Sequence, residues 1–243
     1  MSLHECATAA ARAIVYAIGD LHGRSDLLER MLIRIEEDAA VRPAEKRTIV
    51  YLGDYVDRGH DARGVIERLI EGPPDGFEQV CLMGNHESWL LDFLDSAHAG
   101  AGWFMNGGVA TLASYGVPFS HGGNRMDRLK DARAAFAEAL PPEHFSFLDG
   151  LHYLWRAGDY VFVHAGVRPG VSLGDQDPED MVWIRDEFLE SSADFGAVIV
   201  HGHTIRDYPE ERPNRIGIDT GAFATGCLTC LCLDGEKRDF IQT

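Results

Sequence analysis

Apolar residues fall in short blocks along the chain, and several blocks stop abruptly at glycine followed by a polar residue. Arg12 to Ile18 is a β-rich run that stops at Gly19-Asp20. Thr48 to Leu52 stops at Gly53-Asp54, and Gln79 to Met83 stops at Gly84-Asn85-His86. Leu27, Leu28, Met31, Leu32 and Ile35 recur at helical spacing, with Ser25 placed to cap the helix. A second helix is expected around Gly64 to Ile70. Strand, glycine-polar turn and helix thus repeat, which predicts an α/β fold. Polar groups then sit at the carboxyl ends of strands, where open α/β sheets bind ligands. Residues 88–150 read as a helical excursion, broken at Gly100, Gly107-Gly108, Gly116-Val117-Pro118 and Gly122-Gly123. Strands return at Tyr153–Arg156, Tyr160–His164, Ala197–Val200, Arg215–Ile218 and Cys227–Leu233. No stretch reads as a linker, so residues 1–243 are expected to form one domain.

Composition narrows the class. The chain of 243 residues is 45% hydrophobic and 25% charged, as in ordinary globular proteins. With 22 basic and 39 acidic side chains its net charge is −17. That balance argues against binding a nucleic-acid duplex or an anionic membrane. A small pocket inside an acidic protein can still be locally positive. No run reaches the roughly 20 apolar residues needed to cross a bilayer. Met1 to Ala13 lacks the basic flank and apolar run of a secretory leader. The five cysteines are an odd number and read as reduced thiols, so the cytoplasm is the expected compartment. Cys227, Cys230 and Cys232 read as a buried strand rather than a zinc site, because no second cysteine pair completes a tetrahedron.

The unusual chemistry is concentrated in five blocks. They are Gly19-Asp20-Leu21-His22-Gly23, Gly53-Asp54-Tyr55-Val56-Asp57-Arg58-Gly59, Gly84-Asn85-His86-Glu87, His164-Ala165-Gly166 and His201-Gly202-His203-Thr204. Each joins Asp, Asn or His to glycine at a predicted strand end. Asp20 and His22 flank one residue, so in an extended segment both would point the same way. Asp54, Asn85, His164 and His203 add two oxygens and two nitrogens. Six mixed ligands exceed one tetrahedral ion and suit two divalent ions about 3.5–4 Å apart sharing a carboxylate. Without thiolate the set suits manganese, iron or zinc. Such a pocket would attract phosphate. His4, His60, His98, His121, His144 and His152 stand outside the blocks and are expected at the surface or in loops.

In this order the blocks resemble the metallophosphoesterase superfamily, and more closely the bacterial branch of the PPP-type serine/threonine protein phosphatases. The likeness spans Ile14 to Thr204. Trp103-Phe104-Met105-Asn106-Gly107-Gly108, Thr111-Leu112-Ala113-Ser114-Tyr115-Gly116 and Ile218-Asp219-Thr220-Gly221-Ala222 also look like bacterial members. The resemblance implies a four-layer αββα sandwich of two mixed sheets. It implies that Asp20 and His22 hold a first divalent ion, that Asp54 bridges, and that Asn85, His164 and His203 hold a second. Both ions are expected to be manganese, with iron or zinc as alternatives. It further implies that Arg58 and Arg185 bind phosphate, and that His86 is the general acid, oriented by Asp57. The reaction implied is hydrolysis by direct attack of hydroxide, without a phosphoenzyme, on a phosphoprotein or phosphopeptide.

A diadenosine-tetraphosphate hydrolase of the same superfamily is the alternative, with dinucleoside polyphosphate as its partner. Asp57 and Glu87 favour the protein-phosphatase branch, because those hydrolases usually lack the aspartate and read GNHD. A non-catalytic metal-binding scaffold would be expected to have lost a ligand or the acid, and none is missing.

Overall fold

The computed structural model describes residues 13–119, 122 and 124–243. His4, Cys6, Arg12, His121 and Gly123 lie outside them, as do residues 1–12 as a whole, so the readings that involve those positions stay expectations. The described elements run β1 (Ala13–Ile18), α1 (Ser25–Ala40), β2 (Lys46–Tyr51), α2 (Ala62–Glu71) and β3 (Glu78–Cys81). The excursion follows as α3 (Asn85–Asp95), α4 (Gly100–Met105), α5 (Gly108–Ser114), α6 (Arg125–Ala139) and α7 (Pro142–Asp149). Then come β4 (Leu154–Ala157), β5 (Tyr160–Val163), α8 (Pro178–Trp183), α9 (Asp186–Leu189) and β6 (Val198–His201). The last are β7 (Glu210–Glu211), β8 (Arg215–Gly217), α10 (Ala222–Thr225), β9 (Thr229–Asp234) and β10 (Lys237–Gln242).

The strands form two five-stranded sheets, ordered β10-β9-β1-β2-β3 and β4-β5-β6-β8-β7. Both are mixed. β1, β2 and β3 run parallel, with β9 antiparallel on β1. β5, β6 and β8 also run parallel, with antiparallel strands at the edges.

Alternation along the strands explains the layering. Ile14, Tyr16 and Ile18 of β1 pack with α1 and the excursion helices. Val15 and Ala17, pointing the other way, join Val50, Phe162, Val200, Ile216 and Leu231 between the sheets. A third cluster, including Val161, Val163, Met181, Phe188 and Ile199, seals the outer face of the second sheet. Both faces of each sheet are therefore buried, and the central strands read as unbroken apolar runs. The result is the expected αββα sandwich.

Three readings are corrected. Ser25 does not cap α1; Arg24 occupies the cap position, and the Ser25 hydroxyl instead donates to Asp61 at 2.5 Å. His144 is buried, not superficial, because Tyr115 Oη and His144 Nδ1 pair at 2.8 Å inside the helical layer. The Asp20–His22 segment is a turn rather than an extended strand, with His22 at φ +42°. Cys230 and Cys232 lie buried in β9 as predicted, whereas Cys227 precedes the strand and is half-buried.

Candidate metal centre and active site

The carboxyl ends of β1, β2, β3, β5 and β6 converge, and each block forms the loop that follows its strand. The loops touch backbone to backbone. Leu21 N and His22 N donate to Asp54 O at 3.1 and 2.7 Å. A Cβ on Gly59 would lie 2.0 Å from His22 O, and one on Gly84 2.3 Å from Asp54 N. Only glycine permits these approaches. Glu87 ties the second and third loops together. Its carboxylate accepts from Asp54 N and Tyr55 N at 2.8 Å, Gly84 N at 3.0 Å and Val56 N at 3.2 Å.

Backbone strain marks the same place. Among the described residues the non-glycine residues with positive φ are His22, Asp54, Asp57, Arg58 and His203. All were picked from the sequence as site residues. Left-handed backbone at side chains of this kind costs on the order of 1–3 kcal/mol each and persists where the surroundings over-determine it.

Asp54 sits at the centre. One group of possible ligand atoms joins Asp54 to His22 and His86, and another joins it to His164 and His203. His164 Nδ1 donates to Leu52 O at 2.8 Å, which leaves a lone pair on Nε2. That Nε2 faces Asn85 Oδ1 at 2.9 Å, His203 Nδ1 at 3.2 Å and Asp54 Oδ1 at 3.4 Å. Burial lowers the pKa of His164, and that of His203 to about 2, which favours neutral rings, and the His164 Nε2 lone pair then faces the acceptor Asn85 Oδ1. His203 Nε2 is buried with no partner. Asp20 accepts from His203 N at 3.1 Å, and burial beside Asp219 and Asp54 raises its pKa well above normal. Clustered lone pairs and crowded carboxylates fit a divalent-cation site, since buried charge needs a counter-charge.

Across Asp54 the arrangement differs. His22 Nδ1 donates to Val56 O at 2.9 Å, and burial lowers its pKa to about 3. Its Nε2 lies 3.3 Å from Asp54 Oδ2 and 2.8 Å from the Arg58 guanidinium. The same guanidinium reaches His86 Nε2 at 3.1 Å and stacks 4.7 Å above Phe223. Arg185 stands at the rim, its Nη1 3.2 Å from Thr204 Oγ1.

His86 Nδ1 and Asp57 Oδ2 are 2.5 Å apart. The other contacts of Asp57 come from the excursion. Trp103 Nε1 donates to Oδ2 at 2.7 Å, and Thr111 Oγ1 donates to Oδ1 at 2.6 Å. Burial opposes charge on His86, but Asp54 and Asp57 outweigh it, and the pKa of the ring is raised. The sequence blocks containing Trp103 and Thr111 were visible, but not their function of holding the Asp57 carboxylate. Glu87, which the resemblance singles out only by branch, clamps the backbone of two loops. Each predicted site residue lies in or at the edge of this one cluster.

Fold and cluster together define a phosphoesterase of the two-sheet α/β type. A calcineurin-like phosphoesterase family model matches residues 14–216, and the chain belongs to that family. It is similar to serine/threonine-protein phosphatase 2 of Salmonella typhimurium, with 26% identity over 88% of this chain and 90% of that protein. It is also similar to the asymmetrical bis(5'-nucleosyl)-tetraphosphatase PrpE of Bacillus cereus, with 26% identity over 88% of each chain. The fold is shared with a cold-active protein-tyrosine phosphatase of a psychrophilic Shewanella, at TM-score 0.64 and 16% identity, covering 96% of this chain and 80% of that one.

Proposed function

We propose that this hydrolase is a metal-dependent serine/threonine protein phosphatase that cleaves phosphate monoesters without a phosphoenzyme. The observation that carries the monoester reading is the His86–Asp57 pair, buried, 2.5 Å apart and closed off by Trp103 and Thr111. A serine alkoxide is a poor leaving group and needs a proton, whereas a phosphoanhydride leaves more readily. Two divalent ions, manganese first with iron or zinc as alternatives, would supply Lewis acidity and lower the pKa of water beside the phosphoryl group. Asp20 and His22 would hold one, Asn85, His164 and His203 the other, with Asp54 between them. Arg58 and Arg185 donate to the non-bridging phosphoryl oxygens and stabilise the charge that spreads over them. His86 gives its Nε2 proton to the departing oxygen. Asp57 fixes the ring through Nδ1 and favours its charged form.

The likeness to a tetraphosphatase supports a second reading, cleavage of dinucleoside polyphosphates. One comparison separates the two. His86→Asn is expected to lower kcat on a phosphoserine peptide by about 10²–10⁴-fold, and much less on nitrophenyl phosphate or diadenosine tetraphosphate. Equal losses on all three substrates would remove His86 as the acid and the protein-phosphatase reading with it.

A further inference from the structure

Resting on the reading of Arg58 as a phosphate ligand, we infer that Phe223 is its positioning residue, whose ring holds the guanidinium at the cleft before phosphate arrives. Phe223 lies in α10, within the crossing from β8 of the second sheet to β9 of the first. The Ile218-Asp219-Thr220-Gly221-Ala222 block leads into it, and none of those five residues has a part in the reaction proposed above. The short helix is pinned at both ends. Gly221 and Gly226 bracket it with left-handed backbone, at φ +67° and +74°. Gly221 N donates to Asp219 Oδ1 at 2.9 Å, and Arg24 Nη1 donates to Ala222 O at 3.0 Å. Thr225 Oγ1 donates to Thr220 O at 3.0 Å, and Thr220 Oγ1 to Cys227 O at 2.9 Å. The Phe223 ring is therefore carried on a fixed support.

Arg58 is the residue that gains from such a support. Its side chain is exposed. The guanidinium meets two imidazole nitrogens and the Phe223 ring, and among the described residues no carboxylate forms an ion pair with it. The excursion fixes only the root of the side chain. Arg58 N donates to Gly107 O at 3.4 Å, and a Cβ on Gly107, which sits at φ +112°, would lie 2.8 Å from Arg58 Cγ. Further out, Cζ lies 4.7 Å from the centre of the Phe223 ring. An arginine left to its rotamers loses that freedom when it binds an anion, whereas a stacked guanidinium has given it up beforehand. Stacking uses the face of the fork and leaves its N–H edges open to phosphoryl oxygens. Phe223 also meets the His22 ring edge to face, at 5.3 Å and 85°. His22 is already placed by burial and by its Nδ1 bond to Val56 O, so it does not depend on that contact.

The test is binding of inorganic phosphate to the manganese-loaded protein, read by calorimetry, with manganese content measured alongside. Phe223→Leu keeps apolar bulk and removes the aromatic face, and is expected to weaken phosphate binding about 2–5-fold. Phe223→Tyr keeps the face and should bind phosphate as the wild type does. Because Phe223 acts through Arg58, adding Phe223→Leu to Arg58→Ala should weaken binding no further. Should Phe223→Leu not fold, Phe223→Met carries the same comparisons. A merely space-filling ring would be replaced by leucine without loss, and unchanged phosphate binding in Phe223→Leu overturns the inference. An equal loss in Phe223→Tyr, or a further loss in the double variant, overturns it too. Manganese lost from Phe223→Leu would make the ring a support of His22 and has the same consequence. Weakened binding in Arg58→Ala with normal binding in Phe223→Leu overturns this inference alone. Phosphate binding that Arg58→Ala leaves unchanged overturns the reading of Arg58 as a phosphate ligand, and this inference with it.

Discussion

The two sides of Asp54 use histidine differently. On the Asn85, His164 and His203 side, imidazole nitrogens and an amide oxygen crowd within 3.2 Å of one another. On the His22 and His86 side, the positive charge is part of the chain, because Arg58 reaches in from the surface to both rings. A cluster of lone pairs is preorganised for a cation and has little freedom to do anything else. An arginine on a strained turn, held by stacking on Phe223, can exchange imidazole nitrogens for phosphoryl oxygens. On the proposed reading the first side anchors metal, while the second couples metal, phosphate and proton donor.

Perturbing the supports of the second side should expose that coupling. Among these supports the largest effect is expected at the buried Asp57 contacts. Trp103→Phe and Thr111→Val each remove one hydrogen bond to a carboxylate, worth about 1.5–3 kcal/mol, or roughly 10–100-fold in kcat on phosphoserine peptide. KM and metal content should hardly move, which steady-state kinetics with metal analysis will check. A loss of metal in Trp103→Phe would mean that the excursion supports the whole centre, not the acid alone.

Smaller effects are expected at the rim. Arg58→Ala and Arg185→Ala should weaken product inhibition by inorganic phosphate about 10-fold, the low end for a charged hydrogen bond because both side chains are exposed. Metal content should stay intact, and isothermal titration reads both quantities. Unchanged phosphate inhibition in Arg185→Ala would take that residue out of the site.

The smallest effect is expected from thiol alkylation. Cys230 and Cys232 are buried in β9 and Cys81 ends β3, and burial pushes the Cys81 thiol up to about 12. A thiol alkylator that leaves the fold and metals in place should leave turnover unchanged. Complete inactivation would place a cysteine in the reaction.

What could be read from the sequence follows from how each feature is encoded. Asp20, His22, Asp54, Asn85, His164 and His203 sit next to glycines at strand ends, so local chain geometry and chemistry coincide in one short block. Trp103 and Thr111 reach Asp57 across 46 and 54 residues, and their spacing says nothing of that contact. β10 was missed because Lys237-Arg238-Asp239-Phe240-Ile241-Gln242 is an edge strand with mostly polar residues. β7 has two residues, and α9 and α10 four each, too few to show a period. Ser25 looked like a cap, but tertiary pairing with Asp61 took its hydroxyl.

On the proposed reading two cations share Asp54, and the His164–His203 side is the firmer anchor. The direct measurement is manganese titration of chelator-treated protein by calorimetry, in the wild type and in His203→Ala, with phosphoserine turnover followed in parallel. Two manganese ions are expected per wild-type chain, and one or none in His203→Ala. Turnover in that variant should fall further than the roughly 10–100-fold typical of losing an outer-sphere partner. A single ion in the wild type, or two ions and full turnover in His203→Ala, would contradict it.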